Sequence, residues 1–353
     1  MGKLNEKSWD AFELDSMFTF ERGKEKNMAS LIQGCIPLVS ARKINNGIKG
    51  FVDNPKKVVK GGNVISLNND GDGGAGLAYY QPADFALDTH VTALYPKKDV
   101  LSNVLIYMTA SISKQHAIFG HGRSISLPRA HRIQVMLPVN DLGKPDYDYM
   151  AQYTSEMRRG MLTRYRTYVA SQLSQLEYKQ ISALDEKEWK EFRLGKLFEI
   201  SRPKARNKDH YEMGDIPFVA SGATNNGVMK CCKPHMDEQL DAGNCITVSP
   251  VDGSSFYQPI DFLGRGGAGS SILMLRNNNL NLFRGEFMAR MVQQTCSKYS
   301  YGHMGNKDSI KRERIMLPVN AAGEPDYEYM EQYAKNMMLK KYRQYLEYLE
   351  GQH

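Results

Sequence analysis

The chain has 353 residues, of which 41% are hydrophobic and 24% are charged, a mixture typical of globular domains rather than of disordered segments. Its N-terminus is polar and no run approaches the roughly 18 apolar residues of a membrane helix, so the sequence predicts a cytoplasmic protein. The formal net charge of +7 favours an anionic partner, and five cysteines without framework spacing fit a reducing compartment, with Cys35, Cys245 and Cys296 interpreted as buried hydrophobic residues.

The same sequence segments occur twice, in the same order. WDAFELDSMFTFERGK begins at Trp9 and returns as WKEFRLGKLFEISRPK at Trp189. IPLVSARKINNGIKG from Ile36 returns as IPFVASGATNNGVMK from Ile216, and MLPVNDLGKPDYDYM returns as MLPVNAAGEPDYEYM. These matches indicate one unit of about 180 residues present twice, which is too long for a solenoid repeat.

Short apolar or alternating runs come first within each unit. Runs such as NVISL (63–67) and NCITV (244–248) are separated by clusters of Gly, Asn, Asp and Pro, which is typical of strands joined by loops. The sequence therefore predicts an α+β protein in which residues 1–145 and 181–324 form two mainly β and loop domains in tandem.

Two glycine-rich runs, GDGGAG (71–76) and GRGGAG (264–269), match the G-x-G-x-x-G pattern of dinucleotide-binding loops. That pattern binds a pyrophosphate only when a helix follows the glycines, because the helix N-terminus supplies free N–H groups. The segment LAYYQP that follows the first run is instead an extended run ending in proline, and SSILMLR after the second run predicts a strand. We therefore interpret both runs as tight loops, with a duplicated nucleotide-binding enzyme as the alternative.

The sequence carries none of the common catalytic motifs. It has no Walker A run, no G-x-S-x-G elbow and no H-E-x-x-H pair. Cys231, Cys232 and His235 have no second ligand pair at zinc spacing, so no metal site is predicted. These observations favour a binding protein over an enzyme.

A long helix is predicted after each domain, over residues 146–180 and 325–353, with Asp146 and Asp326 as N-caps and no proline beyond them. Apolar residues recur three or four positions apart, and the predicted packing residues are Met150, Tyr153, Met157, Tyr165, Met330, Tyr333, Met337 and Tyr342. Two equivalent stripes can pack on each other, so we expect an antiparallel coiled coil that separates the two domains. Gly160 weakens the first helix by about 1 kcal/mol.

This order of elements resembles the specificity (S) subunits of type I restriction-modification systems and of the related BcgI-like type IIB systems. The resemblance is carried by the Trp-led domain starts, IPLVSARKINNG and IPFVASGATNNG, the YQP-x-DF segments at 80–85 and 257–262, KYSYGHMGN at 298–306, and the two MLPVN-x-x-G-x-PDY-x-YM junctions. The first half has HAIFGHGRSISLP in place of KYSYGHMGN, so that motif is well matched only once.

The resemblance implies that each domain is a target recognition domain for one half of a split double-stranded DNA site. It also implies that the long spacer helices dock DNA methyltransferase (M) subunits and a restriction nuclease or a fused methyltransferase-nuclease, while this chain performs no chemistry. S-adenosylmethionine would then be bound by the partner methyltransferase, and this chain would hold no cofactor. A stand-alone DNA-binding adaptor is a further alternative.

Positions that differ between the halves are candidates for base reading, because domains that read different half-sites must differ there. The turn at Asn46-Gly47 and Asn226-Gly227 is identical in both halves, which indicates a structural role, whereas the preceding SARKI (40–44) and SGAT (221–224) differ in charge. The predicted DNA-binding residues are Arg42, Lys43, Asn45, Asn46, Lys49, Arg123, Arg129 and Arg132 in the first half, and Thr224, Asn225, Asn226, Arg265, Lys298, Tyr301, Lys307, Lys311 and Arg312 in the second. For most of the basic residues, phosphate contacts are expected.

Removal of residues 181–353 is expected to leave a half-subunit that dimerises through its helix and recognises a palindromic split site, because the first helix can replace the second. Analytical ultracentrifugation at micromolar concentration measures its association state, with the full-length chain as the control. A monomeric half-subunit would contradict the equivalence of the two helices.

Overall fold

The computed structural model describes residues 4–25, 30–71, 74–120, 122–267 and 271–351. The chain divides into two compact units, Met1–Tyr165 and Arg166–His353, and the elements of the repeat occur in the same order in each. None of the helices in these ranges combines the length and apolarity needed to cross a bilayer.

The first unit begins with a strand and ends in a long helix. Its strands are β1 (Trp9–Glu13), β2 (Phe18–Arg22), β3 (Gln33–Val39), β4 (Ile48–Val52), β5 (Val58–Val59), β6 (Val64–Asn68), β7 (Ala78–Gln81), β8 (Phe85–Leu87), β9 (Val91–Pro96) and β10 (Gln134–Pro138). Its helices are α1 (Leu14–Met17), α2 (Ser102–Ser113), α3 (Leu127–His131) and the first part of α4 (Tyr147–Gln175).

The strands of the first unit pair in three groups. An antiparallel sheet has the order β2-β9-β6-β7, a mixed sheet has the order β4-β3-β8-β5, and β1 pairs with β10. Every residue of β6 is buried, because this strand is central in its sheet and α2 packs on it. The main core contains, among others, Leu14, Phe18, Ile65, Leu67, Leu94, Leu105 and Met108.

The second unit repeats this order of elements, without a strand among its described residues that corresponds to β5. Its strands are β11 (Trp189–Arg193), β12 (Glu199–Ser201), β13 (Met213–Val219), β14 (Val228–Cys232), β15 (Cys245–Val248), β16 (Ser255–Gln258), β17 (Leu263–Gly264), β18 (Leu273–Arg276) and β19 (Arg314–Pro318). Its helices are the end of α4 together with α5 (Leu194–Leu197), α6 (Leu282–Cys296), α7 (Lys307–Arg312) and α8 (Tyr327–Glu350). The sheet orders are β12-β18-β15-β16, β14-β13-β17 and β11-β19.

Most of the predicted strands are confirmed. NVISL and NCITV form β6 and β15, and the glycine runs are followed by β7 and β18 rather than by helices. Residues 72, 73, 268 and 269 of those runs lie outside the described residues. The prediction that Cys35 is buried is wrong, because it lies on the outward-facing side of β3, whereas Cys245 and Cys296 are buried as predicted.

Asp146 and Asp326 cap the two long helices, as predicted. Each accepts a hydrogen bond of 3.0 Å from the third backbone N–H that follows, and each pairs with a lysine, Lys7 at 2.6 Å or Lys187 at 2.7 Å. Burial raises the pKa of both carboxyl groups, but these hydrogen bonds outweigh it and hold each pKa below its ordinary value. The stabilisation is therefore present above the ordinary carboxyl pKa and is lost as the pH falls through the lowered one.

The start of α4 packs on its own unit. Met150 is fully buried in the main core, and the Tyr153 ring lies edge-on to Tyr107 of α2, with ring centroids 5.6 Å apart. Farther along the helix, Met157 is half exposed. The prediction that Met150 and Tyr153 pack on the other long helix is therefore wrong.

The start of α8 has the same environment. Met330 is fully buried in the core of the second unit, and the Tyr333 ring lies edge-on to Phe287 of α6 at 5.6 Å. Met337 lines a groove of about 390 Å³ between α6 and α8. The same correction applies to Met330 and Tyr333, because the globular part of each repeat presents an apolar surface that periodicity could not reveal.

The end of α4 meets α8 within the second unit. The rings of Tyr168 and Tyr342 lie edge-on with centroids 6.3 Å apart, and their hydroxyl oxygens are 3.4 Å apart. Val169 beside them is fully buried, and Tyr165 is partly buried. Tyr342 thus contacts the other long helix, while a coiled coil along the remaining length stays a prediction.

Gly160 lies in the exposed part of α4, where an added methyl group would meet no described atom within 4 Å. We expect Gly160→Ala to raise the free energy of unfolding by about 0.5–1 kcal/mol, because alanine loses less backbone entropy in a helix. Gly143→Ala is the matched control, since its methyl group is equally unobstructed but its φ of 66° strains any other residue. Urea titration should show opposite signs for the two variants.

Candidate nucleic-acid interface

The turn between β3 and β4 has an unusual backbone that recurs in the second unit. Asn45, Asn46 and Gly47 have φ values of 55°, 53° and 77°, and residues 225–227 have values of 55°, 56° and 73°. Asparagine and glycine are the residues that tolerate this left-handed region. The repeated NNG sequence therefore encodes the same turn twice.

Side-chain amides hold this turn to the neighbouring strand. The Asn46 amide donates to the Tyr80 carbonyl at 2.8 Å and to Gln81 Oε1 at 3.3 Å, and Gln81 Nε2 donates back to the Asn46 carbonyl at 3.1 Å. We call this reciprocal arrangement the amide clasp.

The second unit has an equivalent amide clasp. Asn226 donates to the Tyr257 carbonyl at 3.1 Å and to Gln258 Oε1 at 3.3 Å, and Gln258 Nε2 donates to the Asn226 carbonyl at 3.0 Å. The side chains of Asn46 and Asn226, both predicted to bind DNA, are thus engaged within their own units. The two glutamines were missed from the sequence, although the repeated YQP segment was the available signal.

Four connections of the first unit lie together. The Asn68 side chain donates to the Arg42 carbonyl at 3.0 Å, Asn69 N–H donates to the His90 carbonyl at 2.8 Å, and Ile125 N–H donates to the Asn69 carbonyl at 2.7 Å. These bonds join the turns 40–47 and 88–90 and the described parts of the loops 69–76 and 116–125, which we call the first loop face.

A polar contact connects two parts of the first loop face. His90 Nδ1 lies 2.8 Å from Asp70 Oδ1, and this hydrogen bond raises the pKa of His90. The Asp88 carboxylate is turned inward and accepts the His90 backbone N–H at 2.9 Å. Both acidic groups therefore have partners inside the protein.

The second loop face is built from the corresponding connections. Arg265 N–H donates to the Val219 carbonyl at 2.8 Å, and Gly305 N–H donates to the Pro250 carbonyl at 2.8 Å. The second loop face comprises the turn 220–227, the loops 249–254 and 297–305, and the described part of the loop 264–272. Residues 264–267 of GRGGAG therefore occupy the place of the turn 88–90, whereas the described residues of GDGGAG lie in the loop that corresponds to 249–254.

The predicted residues of the first unit differ in exposure and position. Lys43, Asn45 and Arg123 are exposed on the first loop face, and Arg42 is partly buried with its guanidinium on the Ile48 carbonyl at 3.3 Å. The remaining residues lie on β4 or near α3: Lys49 is exposed on β4, Arg129 donates to the Ser124 carbonyl, and Arg132 donates to the Pro128 carbonyl at 3.3 Å.

On the second loop face, Thr224, Asn225, Arg265 and Tyr301 are exposed, and Tyr301 keeps 87% of its surface accessible. Lys298 pairs with Glu313 at 2.6 Å, which neutralises part of its charge. The other predicted cations lie on α7. Lys307 is its first residue and is partly buried, whereas Lys311 and Arg312 are exposed in its last turn. This turn packs on α5.

A buried ionic cluster lies beneath the second loop face. The Arg206 side chain is 2% exposed, and it pairs with Glu238 at 2.7 Å and with Asp241 at 2.6 Å. It also donates to the Gly264 carbonyl at 3.1 Å, where the loop 264–272 begins. Burial raises the pKa of Glu238, but hydrogen bonds from Arg206 and from Tyr211 outweigh it and hold this pKa below its ordinary value.

The amide clasp can be tested with neighbouring asparagines. Asn46→Gly keeps the positive φ and the backbone carbonyl that accepts from Gln81 but removes both hydrogen bonds donated by the Asn46 side chain, so we expect the free energy of unfolding to fall by about 1–2 kcal/mol. Asn45→Gly is the control, because Asn45 has the same backbone conformation and an exposed side chain outside the clasp. Urea unfolding in which both variants behave alike would show that the amide clasp does not stabilise the turn.

Comparison with known proteins identifies relatives over the whole length. A family model described as the type I restriction modification DNA specificity domain matches residues 6–162 and again residues 186–348. The specificity subunit S.BcgI of a type II restriction enzyme from Heyndrickxia coagulans is 27% identical over 336 residues, which cover 93% of this chain and 94% of that protein.

Two solved structures also align with the chain at 13% sequence identity. The S subunit of a type I restriction-modification system from M. genitalium has a TM-score of 0.47, with 99% of this chain and 94% of that chain covered. The HsdS subunit from Thermoanaerobacter tengcongensis has a TM-score of 0.32, with 98% and 91% covered. At these TM-scores the family assignment depends on the family model and not on the structures.

Proposed function

The chain belongs to the family of type I restriction modification DNA specificity domains, and we propose that its two loop faces each read one half of a split DNA site. The chain is accordingly a specificity subunit of a restriction-modification system, with one specificity domain in each repeat. Within those domains, we assign recognition of the DNA bases to the first and second loop faces.

One observation carries this proposal: the two units share the amide clasp but differ in the residues of the turn that the clasp supports. Arg42 and Lys43 of the first turn are replaced by Gly222 and Ala223 in the second. Two domains that recognise different half-sites need the same scaffold but different surface residues. This is because base contacts specify the sequence, while shared contacts position the domain.

The proposed contacts are of two kinds. Flexible exposed cations such as Lys43 suit phosphate oxygens, which carry most of the affinity and no sequence information. Side chains presented from the tightly held loops suit base edges in the major groove, where the four base pairs have distinct donor and acceptor patterns. The formal net charge of +7 is consistent with a polyanionic partner.

We assign catalysis to other subunits of the complex. Under this proposal M subunits bind S-adenosylmethionine and dock on the exposed parts of the long helices, where Met157 and Met161 are half exposed, and a nuclease or fused methyltransferase-nuclease joins them. The cytoplasm is the expected compartment. The alternative of a nucleotide-binding enzyme is disfavoured, because β7 and β18, and not helices, are the next described elements after the two glycine runs.

The proposal is tested with the full chain assembled with its M subunits and S-adenosylmethionine, with sequencing of the methylated sites. The double variant Arg42→Ala/Lys43→Ala is expected to weaken or relax one half-site and to leave the other unchanged, since a lost base contact costs about 1–3 kcal/mol of discrimination. The chain without M subunits is the negative control, in which we expect no methylation.

The matched control is Lys97→Ala/Lys98→Ala. It also removes two positive charges, but from the residues that follow the C-terminal end of β9. The turn 88–90 of the first loop face precedes the N-terminal end of this strand. This control should leave both half-sites unchanged. Equal effects of the two double variants, or a change in both half-sites, would contradict separate reading by the two loop faces.

A further inference from the structure

We propose that Arg265 determines specificity at the second loop face by reading a guanine in the major groove, and that Gly264, Gly266 and Arg206 hold its backbone in position. This inference rests on the proposed function, because it names the base class that one loop face reads. It concerns a single side chain at a place where the two repeats differ in charge, since Asp88 is its counterpart in the first repeat.

The backbone around Arg265 is held on both sides. Gly264 N–H donates to Asp241 Oδ2 at 3.0 Å, and Gly266 N–H donates to the Lys204 carbonyl at 3.0 Å. Between them, Arg265 N–H donates to the Val219 carbonyl at 2.8 Å and its own carbonyl accepts from Ile272 N–H at 3.1 Å. The Cα of Arg265 is therefore placed by hydrogen bonds to three other segments of the second unit.

Gly264 and Gly266 are required by the close approach of the segment 203–205. A Cβ at Gly266 would lie 2.1 Å from the Pro203 carbonyl oxygen, and a Cβ at Gly264 would lie 2.8 Å from Pro203 Cβ. Neither distance is tolerated without movement of the backbone. The glycines of GRGG thus serve the packing of the loop and not the binding of a pyrophosphate.

Arg206 completes the support as a positioning residue. Its guanidinium joins Glu238 and Asp241 to the Gly264 carbonyl, and Asp241 in turn accepts the Gly264 N–H. A buried guanidinium with several bonds is rigid, because each bond fixes the planar fork in a different direction. Arg206 therefore acts on DNA only through the position of the loop.

The Arg265 side chain itself is exposed and has no hydrogen-bond or ionic partner within the described ranges. At the corresponding turn of the first repeat, Asp88 is buried and its carboxylate is engaged with the His90 backbone. The second face therefore presents a cation where the first presents none. A guanidinium on a fixed backbone suits guanine, whose O6 and N7 accept the two parallel N–H groups of arginine.

The test maps methylated sites of the complete complex and measures the salt dependence of its DNA binding. For Arg265→Ala we expect the preference for guanine at one position to fall roughly ten- to a hundredfold, with the other half-site unchanged. Arg265→Lys should lose the preference while retaining the salt dependence, because the charge remains but the fork does not. Lys204→Ala, an exposed cation on the adjoining segment, is the control and should keep the preference.

Arg265 would be a phosphate contact, and the inference overturned, if Arg265→Ala weakened binding to all sequences equally and kept the base preference. An intact split site in the wild type together with a silent Arg265→Ala would refute the inference alone. A wild-type complex whose methylated sites do not depend on the second loop face at all would instead refute the proposed function.

The supporting role has its own test. Gly266→Ala should reproduce the loss of guanine preference with Arg265 still present, because the added methyl group displaces the loop. Gly160→Ala, whose methyl group meets no described atom within 4 Å and which lies on α4 rather than on a loop face, is the control. If Gly266→Ala prevents folding, the guanine preference is measured with Arg206→Lys instead. A retained guanine preference in a folded variant of either kind would overturn the role of the support.

Discussion

The reciprocal hydrogen bonds of the amide clasp are the constraint on which each loop face depends. They fix a turn whose three consecutive residues have positive φ, a conformation that is unfavourable for most side chains and persists only when neighbouring groups hold it. Gln81 and Gln258 can do this because both are buried, so their amides gain protein partners in place of water. The exposed residues of the turn are thereby free to vary without loss of the backbone geometry.

This separation of scaffold from surface explains how one repeat can serve two recognition tasks. The clasp and the sheets, apart from β5, are common to both units, while the loops that they support differ in length and charge. Asp88 is buried against its own turn, and Arg265 at the corresponding place is exposed above a buried cluster. Both side chains suit their surroundings, because a buried carboxylate needs nearby hydrogen-bond donors and an exposed guanidinium does not need protein partners.

The long helices have two regions with different surroundings. The first turns complete the core of their own repeat, as Met150 and Met330 show, and this docking fixes where each helix begins. Farther along α4, apolar side chains such as Met157 and Met161 remain half exposed. An exposed stripe on a capped helix is the surface on which a further subunit can gain buried area.

The sequence by itself determined the duplication, the strands β6 and β15, the two helix caps and the repeated NNG turn. These features are local or periodic, so a short window of residues contains the whole signal. Fold class and family followed from the order of such windows along the chain.

Only the tertiary structure decided which loops share a face and what each apolar stripe packs against. Periodicity indicates that one side of a helix is buried but not what covers it, so Tyr153 and Tyr333 were assigned to the wrong neighbour. The contact of Arg206 with the Gly264 carbonyl likewise joins segments distant in sequence. Such contacts arise because folded strands bring remote loops together, and no local pattern records which loops will meet.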